Sequence, residues 1–192
     1  MKKTILCMIL LLAWCGSAYG FAGGDGTQGN PYQVQTAAHL DTVRNDLTAY
    51  YVQVADIDIA SYANWSPIAG GDAGTLFTGF YDGQNYTLSN LTINRSTTDN
   101  IGLFGHVGEG AVIQNVRLET VSVEGDRGVG SLIGRVTGND TTLIMRCYAD
   151  GGSVVGYDGA IGGLVGSHNS VNETPGGENN PVITQCYANI DV

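Results

Sequence analysis

This chain has few residues of several kinds that commonly mark a binding or catalytic function. Charged residues make up 14% of its 192 positions, and proline and cysteine each occur 4 times. The only lysines are Lys2 and Lys3, so every later basic residue is an arginine, and the formal net charge is −10. An acidic chain without basic stretches lacks the attraction that nucleic acids and anionic membranes require. We therefore expect no nucleic-acid partner.

The sequence also lacks the compact motifs of common catalytic sites. It contains no Ser-His-Asp or Cys-His arrangement, no phosphate-binding loop and no His-Glu-x-x-His pattern. The three histidines show no metal-ligand spacing. Acidic residues are available, but no pair stands out for glycoside chemistry: Asp82, Asp99, Asp126 and Asp158. We expect no catalysis by this chain. The alternative is a carbohydrate-active β-helix lyase or hydrolase, which three or more clustered carboxylates beside exposed Tyr148, Tyr187 or Trp65 would favour.

Long apolar runs are absent except near the N-terminus, where "ILCMILLLAW" follows Lys2 and Lys3. Small residues come next, and they suit a cleavage site after Gly20. The run is too short to span a bilayer comfortably. We therefore predict a signal peptide at 1–20, export to the periplasm, the cell surface or the medium, and no membrane insertion after cleavage. An uncleaved anchor and a lipoprotein attached at Cys15 are the alternatives.

Glycine is abundant, with 29 residues, which indicates many tight turns and few long helices. One helix is predicted over residues 36–47, where Thr36 can cap the start and apolar residues follow a helical spacing. Residues 50–60, "YYVQVADIDIA", read as one strand with a bulge or bend near Ala55 that brings Val52 and Val54 inside together with the two isoleucines. Residues 21–60 are thus predicted to form a strand–helix–strand capping segment.

Three short words with glycine at both edges recur about 30 residues apart in the second half of the chain. They are "IGLFG" (101–105), "VGSLIG" (129–134) and "IGGLVG" (161–166). Each is followed by a second apolar word that aligns position by position: "VIQNVRL" (112–118), "LIMRCYA" (143–149) and "VITQCYA" (182–188). A third word occurs twice, as "VSVEGD" (121–126) and "SVVGYD" (153–158).

Such a period with three short strands per repeat is typical of a solenoid. One coil cannot bury its own inward side chains, whereas stacked coils bury them against like residues about 4.8 Å away. Ile113 and Val116 are three positions apart and apolar in every repeat, so a corner between them is needed for both to point inward. The sequence therefore predicts an all-β parallel β-helix over 61–192, with a β-sandwich as the alternative.

The glycines that flank the first word are predicted to permit positive φ at bends and a close approach of neighbouring coils. These structural glycines are Gly102, Gly105, Gly130, Gly134, Gly162 and Gly166.

The three glycine-edged words, each followed by "QNVRL" or "CYA", resemble the GLUG motif repeats of large bacterial secreted and surface proteins. The upstream stretches "GDGTQGNPYQVQTAAHLDTVRND" and "FYDGQNYTLSNLTI" resemble the segment that often precedes such repeats. The resemblance implies a right-handed parallel β-helix in adhesin-like proteins or in accessory regions of secreted peptidases, and it carries no catalytic residues. The repeats would cover about 101–128, 129–160 and 161–192, with the last truncated at the C-terminus.

Two pairs of residues are candidate sites. Asp56 and Asp58 can share one strand face, and with Asp25 or Asp72 they could bind Ca²⁺, although a solvated strand face is the simpler reading. We expect no other cofactor. Cys147 and Cys186 fall in one column of the repeats, as a pair of buried thiols or, in an oxidising location, as a disulfide.

These observations predict a secreted or cell-surface structural repeat module that serves in adhesion or as a spacer. Its partner would be an extracellular protein or glycan, contacted by the outward faces and by the insertion at 168–181. We expect it to act as a monomer or as part of a longer chain. A non-functional fragment of a longer surface protein is a further alternative.

Overall fold

A computed structural model describes residues 20–70, 74–138, 141–170 and 180–192. The predicted signal peptide therefore lies almost wholly outside the described residues, as do Asp72 and most of the insertion at 168–181. The one α-helix of the described chain is α1 (Ala37–Thr42), and a 3-10 turn follows at Val43–Asn45. The strands are β1 (Tyr32–Val34), β2 (Tyr50–Gln53), β3 (Ile57–Asp58), β4 (Phe80–Asp82), β5 (Thr87–Ser89), β6 (Thr92–Asn94), β7 (Phe104–Val107), β8 (Val112–Gln114), β9 (Arg117–Gly125), β10 (Ile133–Gly138), β11 (Leu143–Met145), β12 (Tyr148–Gly156), β13 (Val165–Ser170), β14 (Val182–Thr184) and β15 (Tyr187–Asp191).

The strands form three sheets that make the faces of a solenoid. The first sheet has the order β1-β2-β4-β8-β11-β14, the second β15-β12-β9-β5-β3 with β6 also on β9, and the third β13-β10-β7. All pairs between these strands are parallel. Each coil of the repeat region thus adds one strand to each face, and the predicted parallel β-helix is confirmed. The β-sandwich alternative is wrong, because the paired strands come from successive repeats and not from adjacent hairpins.

In-register pairing stacks inward side chains into columns that form the core. On the first sheet the column is Tyr32, Tyr51, Tyr81, Ile113, Ile144 and Ile183. On the second sheet it is Ile57, Leu88, Leu118, Ala149 and Ala188. On the third it is Phe104, Ile133 and Val165. Burying like residues on like residues removes their apolar surface from water, which is the main favourable term for a fold of this kind.

The predicted corner between the first and second sheets is present. Ile113 in β8 and Val116 before β9 are both fully buried, although they are three residues apart. Asn115, between them, has φ = 53°, and Arg146 and Gln185 at the same place in the next coils have φ of 50° and 54°. This left-handed conformation turns the chain from one face to the next, so the alternation of inward residues can restart at the corner.

The helix at the N-terminal end is shorter than the predicted 36–47. Thr36 caps it as expected, since its hydroxyl accepts the His39 N–H at 3.2 Å. The chain leaves the helix after the 3-10 turn because the Asp46 side chain accepts the N–H of Thr48 at 3.1 Å, a local bond that favours a turn over helix. Strand β1, which precedes the helix in the chain, is the first strand of the first sheet.

The predicted bend near Ala55 is present, but the prediction that residues 50–60 form one strand with both valines inside is wrong. Strands β2 and β3 belong to different sheets, so the chain turns a corner between them. Tyr51 and Gln53 point into the core, whereas Val52 and Val54 are only half-buried. The buried Gln53 is satisfied by the corner itself, because its Nε2 donates to Ala55 O at 2.9 Å and to Thr87 O of the next coil at 3.3 Å.

The alignment of the third repeated word is also corrected by one position. The structure pairs Ser122 with Ser153 and Val123 with Val154, not Val121 with Ser153. A second corner sets this register, because Thr120 has φ = 57° and the glycine beside it on β12, Gly151, has φ = 73°. The left-handed residues of the two adjacent coils are therefore side by side, and this register decides which apolar residues of β9 and β12 pair.

The six structural glycines do not provide positive φ, so that part of the prediction is wrong. They are instead places where backbones approach closely. A Cβ on Gly102 would lie 2.7 Å from the carbonyl oxygen of Gly130, and one on Gly134 would lie 2.3 Å from the carbonyl carbon of Asn100. A Cβ on Gly166 would lie 2.4 Å from the main-chain nitrogen of Val129. No side chain fits there without moving the neighbouring coil.

Candidate functional site

The outer face of the second sheet carries an aligned column of large polar side chains. In register order it comprises Thr87, Arg117, Tyr148 and Tyr187. These residues point outward because strands alternate: in "CYA" the cysteine and alanine of β12 are buried and the tyrosine between them is not. The column lies beside the left-handed corner of the coil, which brings further polar residues next to it.

Tyr148 and Tyr187 form a ladder on this column. Their ring centroids are 4.7 Å apart with an angle of 35° between the planes. Tyr187 is 55% exposed, since β15 is the last strand of its sheet. The pair therefore presents a continuous aromatic surface of two rings to the solvent.

An open groove of about 550 Å³ runs along the ladder and the corner. We call it the tyrosine groove, and its lining residues are Asn85, Arg117, Tyr148, Gln185 and Tyr187. The sequence had drawn attention to the two tyrosines alone. Asn85, Arg117 and Gln185 were missed because they come from three different coils and only the stacking brings them together.

The charged groups beside the groove have polar partners. The Arg117 guanidinium lies 2.7 Å from the Glu119 carboxylate. In the next outward column, Asn189 Nδ2 donates to Asp150 Oδ1 at 2.8 Å. Both contacts are exposed, so they contribute little to stability, and because the Asn189 amide is neutral, the Asp150 carboxylate leaves a net negative charge beside the groove.

The corner under the groove is held by a hydrogen-bond network centred on the buried carboxylate of Asp82. This carboxylate accepts from the N–H and Nε2 of Gln84, both at 2.9 Å, and from Gln114 Nε2 and Asn115 Nδ2, both at 2.8 Å. Arg146 Nε in turn donates to Asn115 Oδ1 at 2.7 Å. Polar side chains of three coils are therefore fixed against one another, which gives the groove a rigid floor.

Other polar groups of the groove are not used by the protein. Within the described residues, the side-chain amides of Asn85 and Gln185 and the hydroxyls of Tyr148 and Tyr187 make no hydrogen bond to another protein group. Asn115 and Arg146, which share the corner, are by contrast tied into the network. The groove thus combines a fixed backbone with donors and acceptors that are available to a ligand.

Asp56 and Asp58, the candidate Ca²⁺ ligands, accept hydrogen bonds from the next coil. Asp56 Oδ1 accepts the N–H of Thr87 at 2.8 Å. Asp58 Oδ1 accepts from Asn90 Nδ2 and from the N–H of Ala60, both at 2.9 Å, and the Asn90 bond is the main reason that the pKa of Asp58 is lowered. Across the described ranges, no group of three or more His, Cys, Asp or Glu residues could hold a metal ion. Asp25 instead accepts the N–H of Thr27 with Oδ1 at 3.1 Å, and Asp72 lies outside the described residues.

Cys147 and Cys186 are both free in the structure, with Cys147 fully buried and Cys186 half-buried. They lie on adjacent coils, and the N–H of Cys147 donates to Cys186 Sγ at 3.4 Å. A hydrogen bond from the Cys147 thiol lowers the pKa of Cys186 to about 6. The same bond, followed by burial, raises the pKa of Cys147. The pKa shifts of the two thiols in this column are therefore opposite in direction.

Trp65, which the sequence had offered as an exposed aromatic residue beside a catalytic groove, belongs to the core. It is fully buried, its Nε1 donates to Leu103 O at 3.3 Å, and the Arg44 guanidinium carbon lies 5.4 Å from its ring centroid. The carboxylates nearest in register to the tyrosine ladder, Glu119 and Asp150, are engaged by Arg117 and Asn189.

Comparison with known proteins identifies relatives that are much longer than this chain. No family model matches it. It is 42% identical over 133 residues, 65% of its length, to a protein of Evansella cellulosilytica named as a Gly-rich membrane protein. It is 37% identical over 156 residues, 75% of its length, to Halomucin of Haloquadratum walsbyi. The chain spans only 15% and 2% of the lengths of these two relatives.

Among solved structures, the chain is similar to a Bacteroides ovatus protein named as an immunoglobulin A1 protease. The two superimpose with a TM-score of 0.63 over 91% of this chain and 52% of that chain, at 23% sequence identity. Similarity at this level of identity concerns the fold alone, and it supports the β-helix. No helix in the described part of the chain is both long and apolar enough to cross a membrane.

Proposed function

We propose that this chain is an exported structural repeat module that displays a rigid, acidic β-helix at a cell surface, for adhesion or as a spacer. The observation that carries the proposal is the in-register stacking of the coils. Apolar columns fill the inside, so the outer faces are free to vary without loss of the fold. The net charge of −10 suits a solvated surface.

The names of the two sequence relatives support display at a surface. One is named as a membrane protein and the other as Halomucin, and the matched segment is a small part of each. A solenoid segment can be used in this way inside a longer protein because each repeat contacts only its neighbours. We also propose that the glycine-edged words are GLUG motif repeats, since each supplies the close backbone contact between coils that only glycine allows.

Export by the segment 1–20 is part of the proposal and can be tested directly. The full chain would be expressed in a bacterial host, and its N-terminus and location would be determined by mass spectrometry and by protease treatment of intact cells. We expect a mature N-terminus at Phe21 and protein outside the cytoplasm. The control is Leu11→Arg, which places a charge in the apolar run and should block processing. An unprocessed wild-type chain in the cytoplasm would contradict the proposal.

A further inference from the structure

We infer that the tyrosine groove binds a neutral oligosaccharide chain. The inference deepens the proposed function, on which it rests: a protein displayed outside the cell meets polysaccharides, and this groove would be the part of the solenoid that holds them.

The groove has the shape of a site for an extended ligand. It follows the solenoid axis, because Arg117, Tyr148 and Tyr187 are partners in register on three successive strands. A linear chain lying along it would meet one coil after another at a spacing of about 4.8 Å. The groove has a volume of about 550 Å³, which falls in the range of small-molecule binding sites.

The aromatic surface matches the weakly apolar faces of sugar rings. Tyr148 stacks on Tyr187, and Tyr187 remains 55% exposed. Tyrosine combines an apolar ring with a hydroxyl at its tip, so it can pack against C–H groups and hydrogen-bond to a neighbouring hydroxyl. Stacking on Tyr148 also fixes the ring of Tyr187, which reduces the entropy lost when a ligand binds.

The polar groups of the groove match a ligand that carries many hydroxyls. The amides of Asn85 and Gln185 each offer donors and an acceptor, and the tyrosine hydroxyls can do both. Within the described residues these groups have no protein partner, and they project from backbone that the corner geometry fixes, with φ of 62° at Asn85 and 54° at Gln185. Because these groups have no internal partner within the described residues, they can bind a ligand without first breaking internal bonds.

The charge favours a neutral ligand over an anionic one. Among the described residues, Arg117 is the one cation that lines the groove, and it is already paired with Glu119 at 2.7 Å. Asp150 lies in the adjacent outward column, and the chain as a whole carries a net charge of −10. A uronic acid or sulfated polymer would therefore meet net repulsion along the whole solenoid.

Isothermal titration calorimetry of the exported chain tests the inference. The probes are the neutral hexasaccharides cellohexaose, laminarihexaose, maltohexaose and chitohexaose, and the charged control is hexagalacturonate. We expect at least one neutral hexasaccharide to bind and hexagalacturonate to bind about tenfold more weakly or not at all. Tyr187→Ala should weaken the neutral interaction about tenfold, because it removes the exposed aromatic ring.

The matched control is Tyr157→Ala. Tyr157 is also an exposed tyrosine, at 63%, but it lies outside the groove and its hydroxyl donates to Glu124 Oε1 at 2.7 Å. Binding should be unchanged in this variant and reduced in Gln185→Ala. Circular dichroism melts of the three variants check that each is folded, which we expect because all three side chains are exposed.

Three results would overturn the inference: no neutral hexasaccharide binding at millimolar concentration, tighter binding of hexagalacturonate, or neutral binding that survives both Tyr187→Ala and Gln185→Ala. The proposed function fails separately. If the chain is exported and folded but binds no hexasaccharide, only the ligand class is wrong. If the wild-type chain stays unprocessed in the cytoplasm, the proposal of surface display fails, whatever the titrations of the purified protein show.

Discussion

Cys147 and Cys186 occupy the same inward position on neighbouring coils, and the main-chain N–H of Cys147 donates a hydrogen bond to Cys186 Sγ across 3.4 Å. The Cys147 thiol adds a second donor, so the thiolate form of Cys186 is favoured and its pKa falls to about 6. Cys147, buried and acting as the donor, has a raised pKa. Two identical residues in one column thus differ in reactivity because only one of them is the hydrogen-bond acceptor.

This difference predicts selective alkylation. Iodoacetamide reacts with the thiolate, so the alkylation rate at Cys186 should rise with pH and reach its midpoint at about 6. An ordinary cysteine has its midpoint at about 8.5. Cys147 should stay unmodified in the native protein. Peptide mass spectrometry of quenched samples measures both rates. In Cys147→Ala the midpoint at Cys186 should rise, because the substitution removes the Cys147 thiol, the donor with the largest effect on the pKa of Cys186. Equal rates at the two cysteines, or a midpoint that the substitution does not move, would show that the hydrogen bond does not control the thiol.

The close contact at Gly134 predicts a large loss of stability on a small substitution. Gly134→Ala would place a Cβ 2.3 Å from the Asn100 carbonyl carbon and 2.4 Å from the Ile101 nitrogen, both backbone atoms of the neighbouring coil. We expect the free energy of unfolding to fall by about 3 kcal/mol, since the coils must separate. Urea denaturation followed by circular dichroism measures it.

Gly29→Ala is the matched control for Gly134, because a Cβ there meets nothing within 4 Å and its φ is not in the left-handed region. It should change the free energy of unfolding by less than about 0.5 kcal/mol. If the two variants unfold at the same urea concentration, close approach of the backbones does not explain the glycine-edged words.

The carboxylate of Asp82 is predicted to be important for the stability of the corner. It is 7% exposed and accepts hydrogen bonds from Gln84, Gln114 and Asn115. Asp82→Ala leaves these donors without their acceptor, and we expect a loss of about 2 kcal/mol in the free energy of unfolding. Asp158→Ala, which removes a 59% exposed carboxylate paired with Arg127, should have no measurable effect. A comparable loss in both variants would mean that net charge, and not the network, governs stability.

The unpaired edge of β14 predicts self-association. This strand is the last of the first sheet, and Val182 and Ile183 on it are 39% and 41% exposed. Such an edge offers unpaired backbone groups next to apolar side chains, which favours pairing with another chain. We expect the sedimentation coefficient of the wild-type protein to rise with concentration and Ile183→Lys to suppress the rise.

Tyr86→Lys is the control for that experiment, since Tyr86 is 38% exposed but lies between β4 and β5, which are interior strands of their sheets. It should leave the association unchanged. A wild-type protein that sediments as a monomer at every concentration would contradict the edge prediction, as would equal effects of the two lysine substitutions.

Much of the core could be read from the sequence because the repeats align identical chemistry. Ile113, Ile144 and Ile183 are partners in the structure as their words predicted, and the corner before Val116 follows from two inward residues three positions apart. The failures have a common cause. Val52 was preferred over Gln53 as an inward residue because hydrophobicity alone ranks valine higher, but Gln53 is buried with Thr87 of the next coil as its hydrogen-bond acceptor.

The sequence by itself indicated that the chain would stack similar coils, since apolar words that recur in the same order about 30 residues apart bury their inward residues against like residues when coils stack. It also determined which letters face inward wherever strict alternation holds. Only the tertiary structure decided the conformation at the corners, the single-residue shift between β9 and β12 and the burial of Trp65 against Leu103. The tyrosine groove was likewise decided there, because its five residues come from four coils that meet only through the register of parallel strands. Local pattern fixes what each strand buries, whereas contacts between residues about 30 positions apart depend on how the coils align.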